Sequence, residues 1–246
     1  MAITISIAVQ GQLDYLMLFC RSIEQHTTVP YEISIWNNEA DSDIRNFCST
    51  KNYTYFESKE NVGVTKSLNA MVENAKYDFV FLADSDYYAL PNWDNIILDA
   101  PEVFWKRPTL IDPREYMAVR SVYGQYGNNI KRFNEKGLLD DFSNASFPEI
   151  LGTHMPPVMR KQDYINFGGY NESFYVGETD FLWRAFCYYK EHGFEQTVAA
   201  NSFIYHFGSK TERSLEVRKD NTIHQQFLID TYQMDEAAIG AAMGIF

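Results

Sequence analysis

Apolar positions along the first ninety residues alternate between two periods. Ile3–Val9 is an apolar, β-branched run and predicts a strand, whereas Leu13, Leu16, Met17, Cys20 and Ile23 recur at helical spacing and predict a helix over 13–25. YEISIW at 31–36 predicts a second strand, Asp41 caps a helix that follows Asn37-Asn38, and 53–56 predicts a short third strand. Val64, Leu68, Met71, Val72 and Ala75 line one face of a third helix. Phe79 to Asp86 reads FVFLADSD, a buried strand ending in two carboxylates one residue apart. Four strands interleaved with three helices predict a mostly parallel sheet with helices on both faces. Ligands of such sheets bind outside the carboxyl ends of the strands, where Gln10, Asn37 and Asp84 fall.

The second half is less regular. Pro91-Asn92-Trp93 predicts the start of a helix running to about Phe104, and 107–160 mixes short strands with Pro, Gly and Asn. A short helix at 164–167 stops at Gly168-Gly169, a longer one spans 179–191, and a strand over 197–207 carries His206. Residues 211–237 predict amphipathic helix. The apolar tail AAIGAAMGIF is expected to pack on the body or on a partner, which makes a homodimer through it an expectation.

Composition narrows the function. A net charge of −12 argues against an extended nucleic-acid footprint, which needs a basic face. The charge is uneven: residues 101–136 hold seven basic against four acidic residues, a local positive region that either meets a phosphorylated ligand or is a solvated face. Aromatics reach 16%, enough for core packing and for stacking platforms for sugars or bases. Three widely spaced cysteines suit buried thiols in a reducing compartment. The first ten residues read as a strand and not as a leader, and no apolar run reaches the ~18–20 residues of a membrane span. A cytoplasmic protein is the expectation.

Asp84 and Asp86 leave their strand end on the same side, because strand side chains alternate with a period of two. Two like charges so close repel unless a cation lies between them, and a hard divalent ion with oxygen ligands keeps positions open for phosphates. The alternative is a turn with helix-capping aspartates.

Further motifs fall in order along the chain: Asn61-Val-Gly63 before a helix with Asn69, then Asp84-Ser85-Asp86, then Gly168-Gly169-Tyr170-Asn171-Glu172 with Glu178-Thr-Asp180 and Arg184, then His206. Over roughly residues 3–210 the set resembles the GT-A glycosyltransferases, most closely the inverting family 2 type. The resemblance implies an α/β fold with a GT-A (Rossmann-like), mostly parallel central sheet flanked by helices. Its domain would cover 1–210, with a nucleotide-sugar half to about 105 and an acceptor half over about 106–210, and a helical extension would follow over 211–246. It implies transfer of a sugar from a nucleotide-diphosphate sugar, a UDP-sugar first, to a glycan or other hydroxyl acceptor. Mn²⁺ or Mg²⁺ would be held by Asp84, Asp86 and His206, with Asp86 the more direct carboxylate. Gln10, Asn37, Asn61, Gly63, Lys66, Asn69, Asp84 and Ser85 would hold the donor.

An inverting transfer also needs a carboxylate to take the acceptor proton. By resemblance Glu178 is favoured, with Asp180 as runner-up; both sit at a helix start whose dipole favours the ionised form, which is equally a reason for mere capping carboxylates. Two departures from the family pattern leave the base of the donor open. The first strand ends Gln10-Gly11-Gln12 instead of Pro-x-[Tyr/Phe]-Asn, and the second ends in Asn37-Asn38 where an acidic residue is usual. Three rivals stay in view. A phosphohydrolase generally wants Thr or Val soon after the D-x-D, where this chain has Tyr87-Tyr88. A nucleotidyltransferase usually has a Gly-rich basic loop after strand one, where this chain has QGQLDY. The third is a non-catalytic module that binds sugar nucleotides.

Overall fold

The computed structural model describes residues 1–114, 121–208 and 215–244, the side chains of 215–219 excepted. The first half follows the sequence pattern closely. Strand β1 (Ile3–Val9) leads to helix α1 (Leu13–His26), β2 (Tyr31–Asn38), α2 (Ser42–Ser49), β3 (Thr54–Ser58), α3 (Gly63–Glu73) and β4 (Phe79–Asp84). The Asp41 carboxylate caps α2, accepting from the amides of Asp43 and Ile44 at 2.8 and 3.2 Å. In the second half come β5 (Tyr87–Ala89), β6 (Trp105–Asp112), β7 (Val122–Tyr123), α4 (Glu135–Phe142), β8 (Ile150–Leu151), β9 (Val158–Arg160), α5 (Lys161–Asn166), α6 (Glu178–Glu191) and β10 (Thr197–His206). Helices α7 (Leu215–Tyr232) and α8 (Glu236–Ala242) close the chain.

The strands form one sheet in the order β3-β2-β1-β4-β9-β6-β10-β5, with β7 beside β6 and β8 beside β10. β1 is parallel to β2 and β4, and β10 is parallel to β6. β9 is antiparallel to both β4 and β6, so those two strands point the same way. The carboxyl ends of β1, β2, β4, β6 and β10 therefore share one edge. Alternation in β4 shows why both faces are covered. Phe79, Phe81 and Ala83 pack with Ile3, Ile5 and Ile7 against Leu16, Phe19 and Ile23 of α1. Val80 and Leu82 point the other way, into the cluster with Leu68 and Met71 of α3 and Phe181 and Tyr189 of α6.

Two expectations need correction. The predicted helix over 91–104 is only a 3₁₀ turn at Trp93–Ile97. Asn92 takes a left-handed conformation (φ 66°), Asp94 spends one carboxylate oxygen on Thr28 and Val29, and Pro101 disfavours helix in the residue before it. Its apolar side chains Trp93, Ile96 and Ile97 are core, so burial rather than helix propensity produced the pattern. The C-terminal helix also breaks, at Gln233 (φ 56°), and restarts with Asp235 capping α8. Part of the apolar tail packs on the body, with Ile239 and Met243 buried beside Leu228 in the cluster shared by α3 and α6, while Ala237, Ala238, Ala241 and Ala242 are exposed. Residues 245–246 of that tail lie outside the described residues.

Candidate active site

β4 delivers Asp84 to the carboxyl edge, the chain turns through Ser85 and Asp86, and β5 runs back antiparallel to β10 with Tyr87 opposite His206. The Asp86 carbonyl accepts from the Phe207 amide at 3.0 Å, which locks the turn to the end of β10. Asp86 and His206 are 4% and 6% exposed, whereas Asp84 is open to solvent on one side. One ligand atom from each of Asp84, Asp86 and His206 lies within 4.8 Å of the others, and His206 Nε2 is 3.5 Å from Asp86 Oδ1. An ion with bonds of about 2.2 Å reaches ligand atoms up to about 4.4 Å apart, so small side-chain rotations close the ring. Two carboxylates and an imidazole suit Mn²⁺, and Mg²⁺ less well because of the nitrogen. Among the described residues no other His, Cys, Asp or Glu group has this spacing.

A residue that the sequence reading missed completes the ring's surroundings. Asp112 ends β6, is fully buried, and its Oδ2 lies 2.9 Å from His206 Nδ1. The Arg114 guanidinium holds the same carboxylate in a fork, Nε to Oδ1 at 2.8 Å and Nη2 to Oδ2 at 2.6 Å. Arg114 Nη2 also comes within 3.2 Å of His206 Nδ1. That contact would need a bare Nδ1, and the charged carboxylate at 2.9 Å is the stronger partner and keeps the proton there. Nε2 is thereby turned towards Asp86, an arrangement common where a carboxylate orients a metal-binding histidine. The sequence signal was available, because TLID at 109–112 ends an apolar strand in a carboxylate just as FVFLAD does.

The charges are strongly perturbed. Burial opposes protonation of His206, but the hydrogen bond to Asp112 and then the charges of Asp86 and Asp84 outweigh it and lift its pKa to about 9. Burial likewise opposes ionisation of Asp112, yet Arg114 and His206 hold its carboxyl well below the usual carboxylate range. Asp84 moves the other way, raised by close packing of protein around it and then by repulsion from Asp86; its solvent-facing side moderates the first cause. Tyr87 donates to Asp84 Oδ2 at 2.8 Å.

Glu178 and Asp180 open α6 but have different surroundings. Glu178 is exposed, and its charge adds to the burial that raises the hydroxyl pKa of Tyr87 and Tyr170. Asp180 is buried, with Oδ2 held by Arg184 at 3.0 and 2.7 Å and Oδ1 accepting from Tyr232 of α7 at 2.7 Å.

The remaining sequence-predicted residues divide. Gln10 and Asn61 come together at the sheet edge, amide to amide at 3.0 Å, and the Asn61 carbonyl oxygen accepts from the Gly63 amide at 2.9 Å. Gly63 is required there: φ is +82°, and a Cβ would stand 2.8 Å from the Tyr175 backbone. Ser85 is buried in the turn between the aspartates. Asn37 is fully buried, its amide occupied by Asp41 and Tyr55, so it does not face a ligand. Asn69 bolts α3 to the Gly-Gly-Tyr-x-Glu segment through Tyr164, Tyr170 and Glu172. Lys66 lies on the exposed face of α3.

With this geometry in hand, comparison with known proteins gives a consistent class. The fold is that of GT-A structures with which the chain superposes. TarS (residues 1–349) of S. aureus, solved with UDP, superposes with a TM-score of 0.59 at 12% identity, over 98% of this chain and 75% of that one. GalNAc-T7, solved with UDP, GalNAc and Mn²⁺, gives 0.63 at 13% identity, over 94% of this chain and 48% of that one. Residues 14–102, little more than a third of the chain, match the sequence profile of Glycosyl transferase family 2. No curated protein sequence matches significantly.

Proposed function

We propose that the protein is a metal-dependent glycosyltransferase that moves a sugar from a nucleotide-diphosphate sugar to an acceptor hydroxyl with inversion. The observation that carries this is the Asp84–Asp86–His206 ring at the carboxyl edge of a GT-A sheet. Mn²⁺ is the preferred ion and a UDP-sugar the preferred donor, in line with the ligands of the two superposed structures. The ion, when bound, stabilises the charge that develops on the departing diphosphate.

The chain's own residues do the rest. Asp86 and His206 would supply the buried ligands, and Asp112 holds the His206 ring by Nδ1 so that Nε2, on the Asp86 side, would serve as one. Asp84 binds from the solvent side, oriented by the Tyr87 hydroxyl. The Gln10–Asn61 pair borders the donor. Glu178 is the base: it takes the acceptor proton as the oxygen attacks the anomeric carbon in line with the leaving diphosphate. Asp180 is a poor candidate, since both its oxygens are engaged by Arg184 and Tyr232, and its role is to seat the helix start.

Thermal stability with and without Mn²⁺, across UDP, GDP, CDP, TDP and their common sugars, tests the donor. A ligand held only by the folded state at a hundredfold excess over its Kd stabilises by about 2.7 kcal/mol. A Mn²⁺-dependent rise is expected with one nucleotide, lost in Asp86→Ala and kept in Glu178→Gln, which should bind donor but not transfer. A rise of equal size in Asp86→Ala contradicts the metal assignment, and no rise with any nucleotide favours a phosphohydrolase or a module with another ligand.

A further inference from the structure

We propose that helix α7 belongs to the catalytic apparatus, and that Asp220 is a positioning residue holding the 174–177 turn so that Glu178 faces the reacting atoms. This rests on the reading of Glu178 as base. Asp220 is buried, and its Oδ2 accepts from two consecutive backbone amides, those of Tyr175 at 3.0 Å and Val176 at 3.3 Å. The Tyr175 carbonyl points the other way and accepts from the amides of Val64 at 2.8 Å and Thr65 at 3.4 Å at the start of α3. One stretch of loop backbone is thus gripped between α7 and α3, three residues before Glu178. Gly63 leaves no slack on the α3 side, because a Cβ there already meets the Tyr175 backbone.

The grip extends past the base in both directions. His224, one turn beyond Asp220, packs at a tilt against Phe174 with ring centres 4.6 Å apart. Tyr232 bonds Asp180, and Glu236 of α8 accepts from Thr179 at 3.2 Å. Residues on both sides of Glu178 are therefore fixed by the last two helices. Gly177 at φ +55° supplies the sharp entry into α6 between those fixed points. Without the Asp220 carboxylate two partly buried amides lose their acceptor, and the turn loses its tie to α7. A displacement of about 1 Å in a group that must meet reacting atoms costs on the order of 100-fold in rate.

The test compares Asp220→Ala, Asp220→Asn and Glu178→Gln. The readouts are Mn²⁺ affinity by electron paramagnetic resonance, hydrogen exchange of residues 171–180, and UDP release from UDP-glucose, UDP-galactose and their N-acetyl forms with water as acceptor. Asp220→Ala should keep Mn²⁺ affinity within twofold, lose protection over 174–180 but not over 80–89, and lose ten- to a hundredfold in turnover. Asp220→Asn keeps an acceptor oxygen and should recover to within about threefold of the parent. Unchanged exchange over 174–180 in Asp220→Ala overturns the inference, as does parental turnover in Asp220→Ala while Glu178→Gln is inactive. Parental turnover in Glu178→Gln overturns the base assignment instead, so the two failures are told apart by which variant stays active.

Discussion

Raising the pH from 6.5 to 8.5 should weaken the metal-free protein and strengthen its hold on Mn²⁺. Both effects come from His206, whose pKa is lifted from 6.5 to about 9 by its carboxylate neighbours. Nε2 has to lose its proton before it can bind an ion, so proton and metal compete. The competition factor falls from roughly 300 at pH 6.5 to roughly 4 at pH 8.5, an expected gain of roughly 80-fold in apparent Mn²⁺ affinity. Without metal the sign reverses. A group whose folded pKa is raised contributes its stability in full below the unfolded value of 6.5 and loses it as pH rises through 9. The loss between pH 6.5 and 8.5 is about 2 kcal/mol, or about 4–8 °C in Tm for a chain of this size. Asp84, also raised, acts in the same direction. Asp112, held low, keeps its contribution throughout this window because it is lost only at acid pH. Calorimetric melts of metal-free protein and Mn²⁺ titrations by paramagnetic resonance at five pH values would measure both slopes, with His206→Gln flattening them. A Mn²⁺ affinity that changes by less than threefold, or a metal-free Tm that rises with pH, refutes the reasoning.

Asp112→Ala should weaken Mn²⁺ binding about 10- to 100-fold by releasing the His206 ring, with Asp112→Asn closer to the parent because an amide oxygen still accepts from Nδ1. Equal Mn²⁺ affinity in parent and Asp112→Ala would remove Asp112 from the site. Gly63→Ala forces a Cβ against backbone at positive φ and should cost about 1–3 kcal/mol. A melt within 1 °C of the parent would show that the α3–Tyr175 contact gives way easily.

The sheet's first half was legible because each strand there is a short apolar run bounded by helical periodicity, and its two faces can be told apart along β4. The carboxylates at 84 and 86 were legible for the same reason: charge at the end of a buried strand is costly and therefore conspicuous. Asp112 carries the same signature, but β6 lies in a stretch where Pro, Gly and Asn obscured the strand. Asn37 was hard to read because a buried amide that stitches backbone together looks, in sequence, like one that meets a ligand. The helix expected over 91–104 failed because a 3₁₀ turn packed into the core shows the same apolar residues. The contacts that hold the turn before Glu178 and the Asp180 carboxylate could not be read at all, since Asp220 and Tyr232 make them from the far end of the chain.

β10 enters the sheet between β6 and β5, and among the described residues β5 has no other strand partner. β5, just past the D-x-D turn, therefore waits for a strand beginning at 197 to pair with; 120 residues separate Asp86 from His206. That makes the ring a non-local contact of the kind that forms late and slowly in folding. A chain stopped before β10 would expose the edges of β5 and β6, an invitation to pair with other chains. On the proposed reading, a divalent-ion site at the ring would be completed only when β10 inserts, and ion binding would then report completed folding.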